Sequence, residues 1–279
     1  MIAFIFFIIF SINCDDLTSN NKVSTLNAHI ILEYAEGMIQ DRKYYPQSID
    51  FYGKILGEPF PELIDFIIED SIFASDDICE IRPGYLDINN YYRFTLLNYS
   101  PLKVMISTSI GELHGKIEKP DTIKKLEVSV NDTLKIGDSI TYTWTSSKAD
   151  FYELYFLYYY KVDSKTNFKK IIDFTQESSF TYPPNLLKYN GIIKLFTINP
   201  INGPFPKTNR KGNMSGKGKG YLYYYNTEST YYTKEIIVGK GVPATEYNIE
   251  NSKNISEKHI SNLMKKELFK FLQINGSDR

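Results

Sequence analysis

The chain has 279 residues, with 32 Lys and Arg against 33 Asp and Glu, which leaves a formal net charge of −1. This length suggests one or two domains, and the balanced charge argues against a dedicated nucleic-acid-binding protein. Two cysteines are too few for a disulfide framework or a cysteine-rich zinc site.

The first ten residues, MIAFIFFIIF, are entirely apolar. They are too few to span a bilayer, which takes about 20 residues, but they match the apolar core of a signal peptide. The basic residue that usually precedes such a core is missing. Cys14 follows this core, and a polar tether extends over residues 15–27.

This order resembles the signal of bacterial lipoproteins, in which the cysteine becomes the N-terminus and carries lipid. Ser11 and Asn13 stand where that motif usually has Leu and a small residue. The resemblance implies a signal segment over residues 1–14 and lipidation of Cys14. It also implies export to the bacterial cell envelope, with the protein anchored on the periplasmic or outer surface of a membrane. Cleavage without lipid and a cysteine without function are the alternatives.

Residues 28–119 contain short apolar runs separated by Gly, Pro, Asn and Asp, a spacing typical of a β-sandwich. The apolar positions of Leu63–Phe73 also fit a helix, but no long helical pattern surrounds them, so we predict a strand. The segment from Lys116 to Asp121 is charged and contains Pro120, which predicts a linker. The predicted strands are Ala28–Gln40, Ser48–Ile55, Leu63–Phe73, Tyr85–Ile88, Arg93–Leu97 and Leu102–Ser107.

Residues 120–240 form a second predicted β unit with a clearer pattern. Ile140, Tyr142 and Trp144 alternate with threonines, which places the three large side chains on one face of a half-buried strand. The next strand repeats this alternation at Tyr152, Leu154, Phe156 and Tyr158. The remaining predicted strands are Phe168–Phe174, Ser179–Tyr182, Gly191–Ile198, Gly220–Tyr225 and Tyr232–Val238.

These strands resemble a fibronectin type III-like domain, a two-sheet Greek-key sandwich in which a Trp on the second strand packs under alternating apolar residues of the third. Trp144, the alternation that follows it, Ser179–Thr181 and Ile192–Ile198 carry the resemblance. Other immunoglobulin-like sandwiches share the pattern, and Pro200–Gly220 is longer and richer in glycine than the usual turn. The resemblance implies adhesion, spacing or display, and no chemistry. We therefore expect an all-β protein of two immunoglobulin- or fibronectin III-like β-sandwich units.

The tail, residues 241–279, contains a predicted amphipathic helix at about 255–272. Asn254 and Glu257 resemble a capping box at its start. Its apolar positions share one face: Ile260, Leu263, Met264, Leu268, Phe271 and Leu272. This stripe predicts a helix that docks on a sandwich or folds as an appendage. Binding to a partner and binding to a membrane surface are the alternatives.

Two features suggest contacts with a ligand or partner. Residues 212–220 lack the spacing and context of a phosphate-binding loop, and we interpret them as a mobile Gly/Lys-rich loop at one end of a sandwich. Lys217 and Lys219 would there meet an acidic partner or glycan, or simply be solvated. The tyrosine clusters would place alternate rings on the outer face, where they can stack on sugars, with cross-strand packing as the alternative. These rings are Tyr158, Tyr160, Tyr223 and Tyr225.

Patterns for catalysis or metal binding are weak. The adjacent acidic pairs would point to opposite faces of a strand, and the three histidines lie in separate segments. Ser215 lacks the Gly-x-Ser-x-Gly context of a serine hydrolase. We therefore expect no catalytic residue, metal or cofactor.

Three functional hypotheses follow. The leading one is a non-enzymatic, membrane-anchored lipoprotein whose sandwiches are binding or structural modules of the cell envelope. Its partners would be membrane lipid, through the acyl anchor, and an envelope protein or glycan. The second is a glycan-binding accessory module that uses the tyrosine rows. The third is an enzyme of unrecognised class.

Overall fold

The computed structural model describes residues 24–40, 43–94, 101–130, 132–146, 148–163, 165–205, 212–226 and 235–241. The predicted signal segment, Cys14 and the predicted tail helix at 255–272 lie outside these ranges. Strands dominate the described chain, so the prediction of an all-β class is confirmed. None of the helices in these ranges has the length and apolar character that a membrane span requires.

Eight strands and one helical turn, α1 (Ser75–Ile78), make up the first part of the chain. The predicted strand Leu63–Phe73 is in fact two strands, because Glu69 adopts a positive φ of 53° and turns the chain. The strands are β1 (Thr25–Gln40), β2 (Lys43–Glu58), β3 (Leu63–Ile68), β4 (Ser71–Ala74), β5 (Cys79–Arg82), β6 (Tyr85–Phe94), β7 (Leu102–Thr108) and β8 (Gly111–Ile117).

Ten strands and a short 3₁₀ turn (Pro184–Leu186) follow. They are β9 (Lys125–Val128), β10 (Thr133–Leu134), β11 (Ile140–Thr145), β12 (Phe151–Val162), β13 (Lys165–Thr175), β14 (Ser179–Tyr182), β15 (Gly191–Asn202), β16 (Met214–Gly216), β17 (Lys219–Asn226) and β18 (Ile236–Val238).

One long sheet has the strand order β4-β3-β7-β8-β16-β17-β1-β2-β6-β5. Every pairing along it is antiparallel except that of β1 with β17, which is parallel and runs from Asn27 opposite Lys219 to Tyr34 opposite Asn226. The short strand β16 connects the two halves of the sheet, since it pairs with β8 on one side and with β17 on the other.

The same sheet branches at β15, which pairs with β12, β17 and β18, while β12 also pairs with β13. A separate sheet has the order β14-β11-β9. Strand β17 is hydrogen-bonded to both β1 and β15. Backbone pairing therefore joins the two predicted units, residues 28–119 and residues 120–240.

The N-terminal core lies between β1, β2, β6 and β17 on one side and β3, β7 and β8 on the other. Alternate residues of each strand enter it, as the burial of Leu102, Val104 and Ile106 on β7 illustrates. Phe51 and Phe66 stack at its centre with ring centroids 4.8 Å apart. Burial of these apolar side chains supplies most of the stabilisation, since each is worth about 1.5–3 kcal/mol.

The C-terminal core lies between the sheet β14-β11-β9 and the strands β12, β15 and β18. Ile140, Tyr142 and Trp144 point into it from β11 while the threonines between them point outwards, which confirms the predicted alternation. The Trp144 ring meets the Tyr152 ring edge to face at 5.1 Å.

A third cluster, the junction core, lies where β12, β13 and β15 pack on the other face of β1, β2 and β17. Phe151 is fully buried there, with its ring centroid 6.3 Å from that of Tyr223. Residues 151–158 of β12 are therefore buried on both faces, whereas the sequence pattern predicts a half-buried strand. The difference arises because the odd-numbered positions are also mostly aromatic or aliphatic. Phe151 packs in the junction core, and Tyr155 and Leu157 form a small cluster with Tyr159 and Ile172.

The segment predicted as a linker is only partly a linker. Lys116 and Ile117 belong to β8, and Pro120 is buried. Asn202 donates a hydrogen bond of 2.9 Å to the Glu118 carbonyl, and the buried Asn226 amide donates one of 2.8 Å to the Pro120 carbonyl. These contacts tie the connection to β15 and β17 rather than leaving it in solvent.

Candidate functional site

A groove of about 780 Å³ lies on the outer face of β3, β7, β8 and β16, with Asn213 at its border. Side chains alternate between the two faces of a sheet, so the residues that line this face lie between those that fill the N-terminal core. The strand register brings four of them into one row across the four strands. The row consists of Ile67, Met105, His114 and Ser215.

A basic end of the groove is formed by Lys103 and Lys116, which are direct cross-strand partners on β7 and β8 and are both exposed. The neighbouring Glu69 carboxylate accepts the Lys103 backbone N–H at 2.6 Å, and the Glu69 N–H donates to the Lys103 carbonyl at 3.0 Å. The carboxylate is thus engaged with the backbone. Like charges placed directly opposite each other destabilise a sheet, so this pair favours an anionic group in the groove.

Removing one of the two ammonium groups tests this interpretation. We expect Lys116→Gln to raise the free energy of unfolding by about 0.2–0.5 kcal/mol at low salt, because it relieves the repulsion from Lys103. The gain should vanish at high salt, which screens exposed charges. Urea denaturation at two ionic strengths measures it. As a control, Lys125→Gln removes a lysine that pairs with Glu127 and should give no gain; a loss of stability for Lys116→Gln at low salt would contradict the interpretation.

The two polar members of the row, His114 and Ser215, do not form a serine–histidine pair. The His114 Nε2 atom lies 3.3 Å from a Glu112 carboxylate oxygen, on a side chain about half exposed. The Ser215 hydroxyl donates to the His114 backbone carbonyl at 3.4 Å rather than to the ring. A nucleophilic serine needs its hydroxyl on the base, and the Ser215 hydroxyl is engaged with a backbone carbonyl instead.

The segment predicted as a mobile Gly/Lys-rich loop is a strand and a tight turn. Gly216 and Gly218 have φ values of 129° and 121°, and a Cβ atom at either would overlap a backbone oxygen, of Glu112 and Leu26 respectively. Glycine is required because three strands approach closely here. Lys217 and Lys219 are exposed on either side of Gly218 and outside the groove.

The predicted tyrosine rows are not on the outer face. Tyr158, Tyr223 and Tyr225 are 1%, 0% and 4% exposed, which matches the alternative of cross-strand packing. Tyr160 is partly buried and stacks between Tyr158 at 5.0 Å and Tyr189 at 5.3 Å. The expectation of exposure was wrong for two reasons. Tyr158 shares the buried face of β12 with Tyr152, Leu154 and Phe156, whereas Tyr223 and Tyr225 lie on a face of β17 that the junction core covers.

A buried carboxyl group, that of Glu153 on β12, was not predicted from the sequence. Asn199 donates a hydrogen bond of 3.0 Å to one of its oxygens and accepts one of 2.9 Å from Thr197. The other oxygen is buried without a hydrogen-bond partner among the described residues. Burial raises the pKa of Glu153 to about 8, and the nearby Glu33 adds to the rise. The available signal was a single acidic residue in the otherwise apolar and aromatic run FYELYFLYYY.

Buried tyrosines on neighbouring strands surround this carboxyl group. Burial is the largest cause that raises the pKa of Tyr225, followed by the charge of Glu153. Burial also raises the pKa of Tyr52, with contributions from Glu33, Glu153 and Asp50. Glu153, Tyr52 and Tyr225, from β12, β2 and β17, therefore all favour the protonated state.

Histidine contributes no exposed base to this region. His29 on β1 stacks on Tyr221 with ring centroids 4.7 Å apart and nearly parallel planes. Burial, followed by the charge of Lys54, lowers the pKa of His29 to about 4, so the ring is neutral at physiological pH. Among the described residues, no three His, Cys, Asp or Glu side chains come together in a way that would hold a metal ion.

No protein-family model matches the chain, and no curated protein matches it either.

Proposed function

We propose that this protein is an exported, membrane-anchored lipoprotein of the bacterial cell envelope that acts as a non-enzymatic binding or structural module. The observation that carries the proposal is the order of segments at the N-terminus: an apolar run, Cys14, a polar segment, and a first strand that begins at Thr25. The ten residues between Cys14 and Thr25 span at most ~35 Å. An acyl chain on Cys14 would thus hold the sheets close to the membrane.

The strand order of the first unit supports an immunoglobulin-like sandwich. Strands β1, β2, β6 and β5 lie side by side, as do β8, β7, β3 and β4, and the N-terminal core lies between the two groups. Immunoglobulin constant-type domains place their strands A-B-E-D on one sheet and C, F and G on the other. The order along this chain corresponds to that arrangement with one added strand, β4.

The second unit supports a fibronectin type III-like sandwich. Three strands, β14-β11-β9, face β13-β12-β15-β18 across the C-terminal core. Trp144 on β11 packs against Tyr152 of the next long strand, as the resemblance implies. The long stretch Pro200–Gly220, the departure from the family pattern, contributes β16 and leads into β17, which pair with the first unit. The resemblance to such sandwiches, which are common in cell-surface domains, implies adhesion, spacing or display.

The groove on β3, β7, β8 and β16 is the surface on which this module would bind. Ile67 and Met105 offer apolar contact, and Lys103 and Lys116 offer two ammonium groups at one end. A ligand that carries an anionic group beside an apolar part fits this combination.

Metabolic labelling with a palmitate analogue tests the anchor. We expect label on the wild-type chain expressed in a bacterial host and no label on Cys14→Ala, because only a thiol at the processed N-terminus would receive lipid. Cys79→Ala is the matched control, since Cys79 is the other cysteine of the chain and lies partly buried in the fold; it should keep the label. Label that persists in Cys14→Ala, or an unlabelled wild type, would overturn the proposal.

A second candidate, glycan binding, is favoured by one observation. The Tyr189 ring is 43% exposed and stacks on Tyr160 with an interplanar angle of 14°. Asp163, Lys165 and Asn167 line the same small cavity. An exposed ring beside polar side chains suits the stacking of a sugar, whereas the buried Tyr158, Tyr223 and Tyr225 contribute no such platform.

A further inference from the structure

Three turns meet at the end of the fold where β1 begins, and we call this the tether end. Thr25 pairs with Glu58 at the end of β2, so the chain arrives beside the turn 58–62. The Glu62 N–H donates to the Ser109 hydroxyl at 3.0 Å, which fixes that turn to the β7–β8 turn. Gly218 in the β16–β17 turn lies against the backbone of Leu26.

The tether end exposes apolar side chains. Phe60 is 43% exposed and Leu56 is 38% exposed. Phe60 lies between Pro59 and the buried Pro61. Two prolines restrict the backbone on either side of Phe60, so this turn has little backbone freedom to lose when the exposed ring binds.

The charges at this end are mixed. Lys217 and Lys219 are exposed, and so are Glu58 and Glu62. Because the two signs balance, an attraction to anionic lipid alone would be weak. An apolar ring surrounded by charged and polar groups instead matches the character of residues that lie at a membrane–water interface.

We infer that the tether end rests on the bilayer surface, with the Phe60 ring at the level of the lipid headgroups. This inference rests on the proposed acylation of Cys14. The polar segment between Cys14 and Thr25 leaves this end within ~35 Å of the membrane. A single aromatic ring binds a membrane weakly by itself, but the tether makes the contact intramolecular and raises the effective concentration of lipid.

Tryptophan quenching measures this contact. The chain has a single tryptophan, Trp144, which is 2% exposed and gives a constant background. The acylated full-length protein carrying Phe60→Trp would be reconstituted on phosphatidylcholine vesicles with and without dibrominated acyl chains. Tyr189→Trp is the matched control, because Tyr189 is also 43% exposed and stacks on Tyr160. Tyr160 lies at the end of β12 away from Phe151, and Phe151 is the residue opposite the part of β15 that pairs with β17. We expect the indole at position 60 to be quenched severalfold more than the one at position 189.

The outcomes separate this inference from the proposed function. If the protein is acylated on Cys14 and both indoles are quenched equally, or neither is quenched, the inference fails and the lipid anchor stands. If Cys14 carries no lipid, the proposed function fails and the inference falls with it. Stronger quenching of the indole at position 60 than of the indole at position 189 supports the inference.

Discussion

Glu153→Gln is expected to raise the free energy of unfolding at pH 7 by about 3 kcal/mol. The Glu153 side chain is fully buried, and its burial raises the pKa of the carboxyl group from 4.5 to about 8. The unfolded chain ionises this group at pH 7 while the folded protein keeps the proton, so ionisation favours unfolding. A neutral amide of the same shape removes that penalty and still accepts the hydrogen bond from Asn199.

The sign of the pH dependence follows from the same pKa shift. Between pH 4.5 and about pH 8 the folded state binds one more proton at Glu153 than the unfolded state does. The free energy of unfolding therefore falls as the pH rises through this window, by about 1.4 kcal/mol per pH unit from this group. Below pH 4.5 the group is protonated in both states and contributes no slope.

Urea denaturation of both proteins at several pH values between 5 and 8 measures the effect. The Glu153→Gln variant should lose the slope that the wild type owes to this group. Glu127→Gln is the matched control, because the Glu127 side chain is 62% exposed and should leave the slope in place. Identical pH profiles for Glu153→Gln and the wild type would show that the buried carboxyl is ionised in the folded state.

Gly218→Ala is expected to lower the free energy of unfolding by about 3 kcal/mol or more. The residue has a φ of 121°, which L-amino acids rarely adopt, and a Cβ atom would overlap the Leu26 carbonyl oxygen. Relief requires β1 and the β16–β17 turn to separate. Because β17 pairs with both β1 and β15, this separation would weaken the backbone pairing that joins the two predicted units.

Gly137→Ala provides the comparison that isolates the close approach. Gly137 has a φ of 86°, and a Cβ atom there would meet nothing within 4 Å. This variant should lose only about 1 kcal/mol, from the unfavourable backbone conformation. Hydrogen exchange at β1 and β17 should accelerate in Gly218→Ala and remain unchanged in Gly137→Ala. Equal losses of stability would mean that the turn moves freely and that contact with Leu26 is unimportant.

The positions of most strands could be predicted from local pattern. On β11, large side chains at Ile140, Tyr142 and Trp144 alternate with threonine, and only an extended chain places them all on one face. Strand β8 was not predicted, because Gly115 interrupts its inward-facing positions between Leu113 and Ile117. A glycine there is explained by the structure: a Cβ would collide with the side chains of Leu222 and Met214.

The candidate groove could not be predicted in this way. Its central row joins Ile67, Met105, His114 and Ser215, which come from strands separated by up to 148 positions along the chain (215 − 67). None of the four belongs to a motif. Their proximity depends on the register of three strand pairs, and register is a property of the assembled sheet.

The sequence by itself determined where most of the extended segments lie and which side chains of each share a face, because both follow from the two-residue repeat of a single strand. The tertiary structure alone decided which faces are covered. It buried both faces of β12, enclosed Glu153 and three of the four predicted tyrosines, and paired β17 with β1. Burial depends on the surface that packs against a strand, and here that surface comes from distant segments, as when Asn226 reaches Pro120 across 106 positions.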